Sequence, residues 1–223
     1  VPSGGMALTS NGGTNVAKFD NSWTGQIEGP RPPNFRSDGS YTVEAWVKHT
    51  WTAQDVATAK QQDATNTAGI DKASRTVLGL NDSVFNPLVL GYRAEKDANG
   101  VWRPKWQFII VQPDTTMAVP HATGLYIDGA QDNVWTHLTG TYDASTKTMC
   151  VSASTDTKQF TKLCQDGINA FAGSTPTEDL VIGRGMWTGR VSDVWYGDIR
   201  GVRVYSGVLD TQRISADTVV DHP

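Results

Sequence analysis

This 223-residue chain reads as an all-β protein made of two antiparallel sheets packed face to face, with a short helix near the C-terminal end. Three observations predict that class. Apolar residues show almost no 3.6-residue periodicity. Short segments rich in Val, Ile, Thr, Tyr, Trp and Phe recur between clusters of Gly, Asp, Asn and Pro, as strands between turns do. The composition, 38% hydrophobic and 19% charged, is globular and leaves room for the small polar residues that turns require.

Taken in order, the predicted strands are Met6–Leu8, Val16–Phe19, Tyr41–His49, Thr76–Leu80, Leu88–Arg93, Trp106–Val111, Leu125–Ile127, Thr136–Tyr142, Thr148–Ala153, Gln159–Leu163, Leu180–Gly183 and Gly197–Tyr205. That many strands suit two large packed sheets. In Tyr41–His49, Val43, Ala45 and Val47 share one face while Glu44 and Trp46 share the other. Successive strand side chains alternate between faces, so a strand bulky on both sides should be central and covered twice. Trp106, Phe108 and Ile110 read as core, as do Leu138 and Tyr142 of the strand that follows Trp135. Thr52–Thr67 is polar and rich in Ala, Gln and Thr, and reads as a long loop. Asp210–Thr218 opens on an N-cap-like Asp and reads as a short helix. No linker or repeat divides the chain, so residues 1–223 form one domain.

Charge and hydropathy exclude some partners. The net charge is −4 and no basic stripe is present to neutralise phosphates, which argues against nucleic acid. No apolar run approaches the ~20 residues of a membrane span. The chain opens on Val1 without a signal-peptide pattern, which reads as a processed or excised chain.

The only two cysteines, Cys150 and Cys164, stand symmetrically about a polar turn near Asp156 and Thr157. Residues equidistant from a hairpin turn face each other closely enough to be bridged. A disulfide implies an oxidising, secreted setting, and closing a loop of ~15 residues contributes about 3 kcal/mol in the chain-entropy model. The alternative, two separate buried thiols, would remove the argument for secretion and leave the fold reading intact.

Three segments in order carry a family resemblance. Ser40–Lys48 (SYTVEAWVK) resembles a strand written F-T-V-E-A-W-V-K, and Trp135–Asp143 (WTHLTGTYD) resembles W-H-H-V-A-G-T-Y-D. Gly197–Leu209 (GDIRGVRVYSGVL) resembles G-x-I-D-D-V-R-V-Y-N-R-A-L, and Ala17–Asn21 is a weaker match to L-x-F-D-G. Together they are similar to the laminin-G-like, pentraxin-related subgroup of the concanavalin-like jelly rolls. The resemblance implies a two-sheet jelly-roll sandwich. It also implies a rim Ca²⁺ site, with Asp20 in the first ligand position and Asp198 as a substitute for an acidic pair that is Arg200 and Gly201 here. A nearby guanidinium would oppose a cation. Fold alone does not decide function.

No catalytic constellation is apparent. The three-acid E-x-D-x-x-E spacing of glycosidases on this fold is absent, and Glu178 and Asp179 are adjacent, pointing to opposite faces of a strand rather than across a scissile bond. Lyases on this fold use a Gln/His/Tyr/Arg set. Gln107, His137, Tyr142 and Arg203 are present without the surrounding motifs, and His137 reads as an interior histidine. The expectation is a non-catalytic binding module.

Eight tryptophans exceed what one core needs, and Trp23, Trp51, Trp187 and Trp195 sit beside turns. A sugar's C–H face stacks on an exposed aromatic ring while Asn, Asp or Arg bind its hydroxyls. Gly183–Arg190 (GRGMWTGR) combines these features with enough Gly to protrude. The candidate ligand-binding residues are therefore Trp187, Arg184, Arg190, Trp195, Tyr196 and Trp51, with Trp102 weaker. The expected partner is a glycan, as part of a larger secreted bacterial protein. The alternative is an adhesion or assembly domain that binds protein, because Trp, Tyr and Arg also dominate interfaces.

Overall fold

A computed structural model describes residues 2–3, 6–11, 14–20, 24–50, 72–81, 85–113, 121–156, 159–171, 179–187 and 189–220. In chain order the strands begin with β1 (Pro2–Ser3), β2 (Met6–Asn11), β3 (Thr14–Asp20), β4 (Gln26–Gly29), β5 (Tyr41–His49) and β6 (Lys72–Asn81). They continue with β7 (Leu88–Lys96), β8 (Trp102–Gln112), β9 (His121–Asp128), β10 (Thr136–Asp143), β11 (Thr148–Asp156) and β12 (Gln159–Gln165). The last are β13 (Asp179–Ile182), β14 (Gly185–Trp187), β15 (Arg190–Ser192) and β16 (Tyr196–Ser206), followed by helix α1 (Thr211–Val220).

Two seven-stranded sheets form the sandwich. The first runs β1-β4-β13-β6-β7-β8-β9, the second β12-β11-β10-β5-β16-β3-β2, and β14 with β15 makes a separate two-stranded hairpin. Each predicted strand falls in one of these elements, except that β13 ends at Ile182, one residue short of the predicted Gly183. β1, β4, β14 and β15 were not predicted, because such short pieces show too few alternations to register. The predicted loop at Thr52–Thr67 lies outside the described residues.

Alternation decides what meets between the sheets. Tyr41, Val43, Ala45 and Val47 of β5 join Trp106, Phe108 and Ile110 of β8 and Leu138 and Tyr142 of β10 in one buried cluster. Tyr41 meets Phe108 across the layers at 6.4 Å and its own sheet's Tyr142 at 5.8 Å. Gly140 makes that approach possible, since a Cβ there would stand 2.6 Å from the Phe108 ring. Trp46, on the other face of β5, is also fully buried, beside His137 at 5.3 Å, so β5 is central and covered on both sides as its pattern predicts.

Helix α1 packs on the outer face of the second sheet. Asp210 caps it, accepting from the Arg213 N–H at 2.7 Å, and Ile214, Asp217 and Thr218 are buried. Cys150 and Cys164 are register partners on β11 and β12 and are disulfide-bonded.

Candidate functional site

The hairpin β14–β15 interrupts the first sheet. β13 pairs with β6 as far as Ile182 opposite Leu78, Gly183 donates to the Val77 carbonyl, and pairing to β6 resumes where Thr76 donates to the Asp193 carbonyl. The hairpin's residues are thus looped out of the ladder. Gly183 allows the exit: its φ is +92°, and a Cβ would strike the Phe19 ring. Asn86 clamps the base from both sides. Its side-chain oxygen accepts from the Met186 N–H, while its own N–H donates to the Met186 carbonyl. Trp187 and Arg190 are direct cross-strand partners at the tip, with Trp187 42% exposed and Arg190 exposed. A large ring on a doubly clamped support is pre-ordered for stacking, which lowers the entropy cost of binding.

The other candidates do not join this pair. Trp195 is a correction: it is fully buried, edge-on to His49 at 5.1 Å. It sits beside a turn in sequence, but the chain returning from the hairpin drives it into the core. Arg184 is engaged at the hairpin base, where it donates to Glu28 of β4 at 2.8 Å. Tyr196 opens β16 in the second sheet, opposite Asp20. Trp102 is half-buried under Lys96. Trp51 and Trp23 lie outside the described residues.

Beside the hairpin foot, the outer face of the first sheet carries residues that the sequence reading did not assemble. Trp106 and Phe108 point into the core, so Gln107 points out. Register puts Thr76, Gly91, Gln107 and Tyr126 in one row across β6, β7, β8 and β9, with Arg93, Lys105 and Asp128 in the next. The hairpin's Gly185 packs over the Thr76 hydroxyl. Arg93 and Lys105 stand 5.4 and 5.9 Å from the Tyr126 ring. Glu95 ties them together, at 2.8 Å from Arg93 and 3.4 Å from Lys105. Against the desolvation that would raise it, these two cations hold the Glu95 carboxyl below its ordinary value. Desolvation pushes the Asp193 carboxyl at the hairpin foot upward, against the pull of Arg75 and Arg93. The signal for this face was present in the alternation of WQFII and YRAE, but which strands lie side by side is not.

The residues of the lyase-like set are dispersed. Gln107 faces outward on the first sheet, and Tyr142 is in the core with its hydroxyl donating to the Ile168 carbonyl at 2.9 Å. His137 and Arg203 lie on the outer face of the second sheet, at 3.7 and 3.4 Å from Glu44. That cluster is sealed by α1. Thr218 donates to the Ile214 carbonyl at 2.8 Å, so its oxygen accepts from His137 Nδ1 at 3.1 Å. This leaves Nε2 turned toward Glu44. Burial pushes Glu44 up to about 7 and His137 down to about 4.

The acidic pair suggested for Ca²⁺ reaches one rim but does not fit the ion. Asp20 is exposed at the end of β3, while Asp198 faces Lys18 across the ladder and binds the Lys48 ammonium at 2.7 Å. Arg200 stands 5.7 Å from the Trp135 ring on the same side. Ca²⁺ requires six to eight oxygens. Among the described residues no group of three or more His, Cys, Asp or Glu could hold a metal.

Comparison with solved structures finds chains similar to this one over most of its length. The chain is similar to the CBM40 of the Ruminococcus gnavus IT-sialidase at 14% identity, covering 81% of this chain and 83% of that one with a TM-score of 0.49. It is similar to an alginate lyase from Klebsiella pneumoniae at 10% identity, covering 90% and 84%, TM-score 0.50. A heptameric SAP-like pentraxin from Limulus polyphemus aligns at 13% identity, covering 85% and 79%, TM-score 0.46. At 10% identity the likeness to the lyase speaks to the fold alone. No curated protein matches the chain. A family model, Laminin_G_3, described as "Concanavalin A-like lectin/glucanases superfamily", matches residues 20–215.

Proposed function

Because the chain belongs to the Laminin_G_3 family of the concanavalin A-like lectin/glucanases superfamily, we propose that it is a non-catalytic carbohydrate-binding module of a secreted protein, with the β14–β15 hairpin as its contact platform. The carrying observation is the exposed Trp187 ring paired with Arg190 on a support clamped by Asn86. The ring supplies a stacking surface and the guanidinium supplies donors for hydroxyls. The face beside the hairpin foot adds the half-buried Tyr126 ring. The dispersal of Gln107, His137, Tyr142 and Arg203 supports a binding role over a lyase-like one. The Cys150–Cys164 disulfide supports an oxidising compartment, and no helix among the described residues is long and apolar enough to cross a membrane.

A glycan array followed by calorimetry tests this reading. Wild-type protein should bind saturably, and Trp187→Ala should weaken binding by about tenfold or more, since a buried aromatic contact contributes on the order of 1–3 kcal/mol. The melting temperature should stay nearly unchanged, because Trp187 supports no core. A silent array together with capture of a protein partner through Trp187 would replace the carbohydrate reading with the adhesion reading. Turnover of a polysaccharide would replace both with an enzyme.

A further inference from the structure

An open cleft lies at the β8–β9 rim of the first sheet. It measures about 400 Å³ and is lined by Arg103, Pro104, Lys105, Asp128 and Gly129. Its charged groups reach solvent, the Asp128 and Arg103 side chains being 83% and 60% exposed. The walls are held in place before any ligand arrives. The Pro104 carbonyl accepts from both the Gly129 and the Ala130 N–H, at 3.0 and 3.3 Å, which fixes the turn that leaves β9. One oxygen of Asp97 accepts from the Asn99 and Val101 N–H groups at 2.9 and 3.0 Å. Its other oxygen accepts from Arg103 Nε and Nη2 at 2.9 and 2.7 Å. A clamped carboxylate thus aims the guanidinium, which keeps further N–H donors for other partners. Walls ordered in advance lower the entropy cost of binding.

The chemistry of the walls selects a ligand class. Arg93, Arg103 and Lys105 are offset by Glu95, Asp97 and Asp128, so the cleft has little net charge to draw in an anion. Lys105 stands 3.4 Å from Glu95 and 3.5 Å from Asp128. Both distances exceed the ~2.8 Å of a strong charged hydrogen bond, so its ammonium can still donate to a newcomer. Donors and acceptors therefore face the opening together. A hydroxyl group both donates and accepts and suits such walls better than a carboxylate, which only accepts.

The cleft lies on the same face as the hairpin foot. Gly185 packs over Thr76 of β6, and Thr76 shares a row with Tyr126 of β9. At ~4.8 Å per strand spacing, Thr76 and Tyr126 stand about 14 Å apart. The half-buried Tyr126 ring borders the cleft, with Lys105 5.9 Å from its centre. Gly124 makes room for that ring, since a Cβ there would strike its hydroxyl end. We infer that the β8–β9 rim cleft is a second contact site for an uncharged glycan chain, which crosses the strands from the hairpin past Tyr126 to hydroxyl-binding groups on Arg103, Lys105 and Asp128. The ligand is then an extended neutral polysaccharide segment and not a single terminal sugar. Two contacts on one chain reinforce each other, because the second forms at high effective concentration once the first is made. This inference rests on the carbohydrate-binding reading.

The experiment is calorimetry on the whole chain with neutral glucose and mannose oligosaccharides from disaccharide to hexasaccharide, beside an alginate oligosaccharide and sialyllactose. Wild-type affinity should rise by about tenfold or more from the disaccharide to the hexasaccharide of the series it binds, and that series should bind more tightly than either acidic probe. Arg103→Ala combined with Asp128→Ala should flatten the rise, so that long chains bind no tighter than short ones, and Asp128→Ala alone should reduce it. The melting temperature should stay near that of the wild type, because exposed ion pairs contribute little to stability. If the double variant melts early, Asp128→Ala carries the test, its side chain being the more exposed. Equal wild-type affinity for short and long chains, a length gain that survives in the variants, or preference for an acidic probe would overturn the cleft site while leaving the carbohydrate reading standing. Silence of the wild type toward every probe would overturn both.

Discussion

Replacing Glu44 by glutamine should change how stability responds to pH. Glu44 is fully buried under α1, with His137 Nε2 at 3.7 Å, Arg203 at 3.4 Å, and Asp217 of the helix raising it further. In the unfolded chain Glu44 titrates near 4.5, in the fold near 7. The fold therefore favours the protonated acid. Its contribution is complete below about 4.5 and is lost as pH rises toward about 7, a change of roughly 3 kcal/mol. His137 runs the other way. Its folded value of about 4, against 6.5 unfolded, means that the fold favours neutral imidazole, so stability is lost as pH falls from about 6.5 to about 4, again by roughly 3 kcal/mol. Between about 4.5 and 6.5 the two slopes oppose and nearly cancel in the wild type. Glu44→Gln removes one slope and keeps the shape. Denaturant unfolding across this range should show the variant gaining stability relative to wild type as pH rises, level below about 4.5 and roughly 3 kcal/mol ahead above about 7. The remaining carboxylates titrate alike in both proteins and drop out of the difference. A difference that stays constant with pH would refute the reasoning, because Glu44 would then titrate alike in the folded and unfolded chains.

Other consequences are simpler to read. Gly140→Ala places a Cβ 2.6 Å from the Phe108 ring and should destabilise by about 1–3 kcal/mol through overpacking; calorimetry checks this, and Phe108→Leu in the same chain should restore part of the loss. Reducing the Cys150–Cys164 bond, which spans a sequence separation of 14, should lower stability by about 3 kcal/mol, with the far-ultraviolet spectrum remaining that of a β protein. Met186 and Asn86 exchange hydrogen bonds at the hairpin base, so Asn86→Ala should weaken glycan binding although it lies away from the tip, and should also lower the melting temperature, unlike Trp187→Ala.

Local alternation was enough to determine the central strands of this protein. Tyr41–His49 shows its two faces within nine residues, Trp106, Phe108 and Ile110 declare theirs, and the two cysteines declare their hairpin by symmetry about a turn. These are statements about neighbours along one strand, where the pleat alone decides direction. Tertiary structure decided what no local pattern encodes. Trp195 and Trp187 look alike in sequence, each beside a turn, yet one plugs the core and the other is exposed, because the chain leaves the first sheet at Gly183 and rejoins it at Asp193. Arg184 was spent on Glu28, a residue distant in sequence. Asp198 meets Lys48 of the neighbouring strand. Gln107 met Thr76 and Tyr126 only when β6, β7, β8 and β9 lined up. Strand order and register are set by burial summed over both sheets, so the sites that depend on them become visible only in the assembled fold.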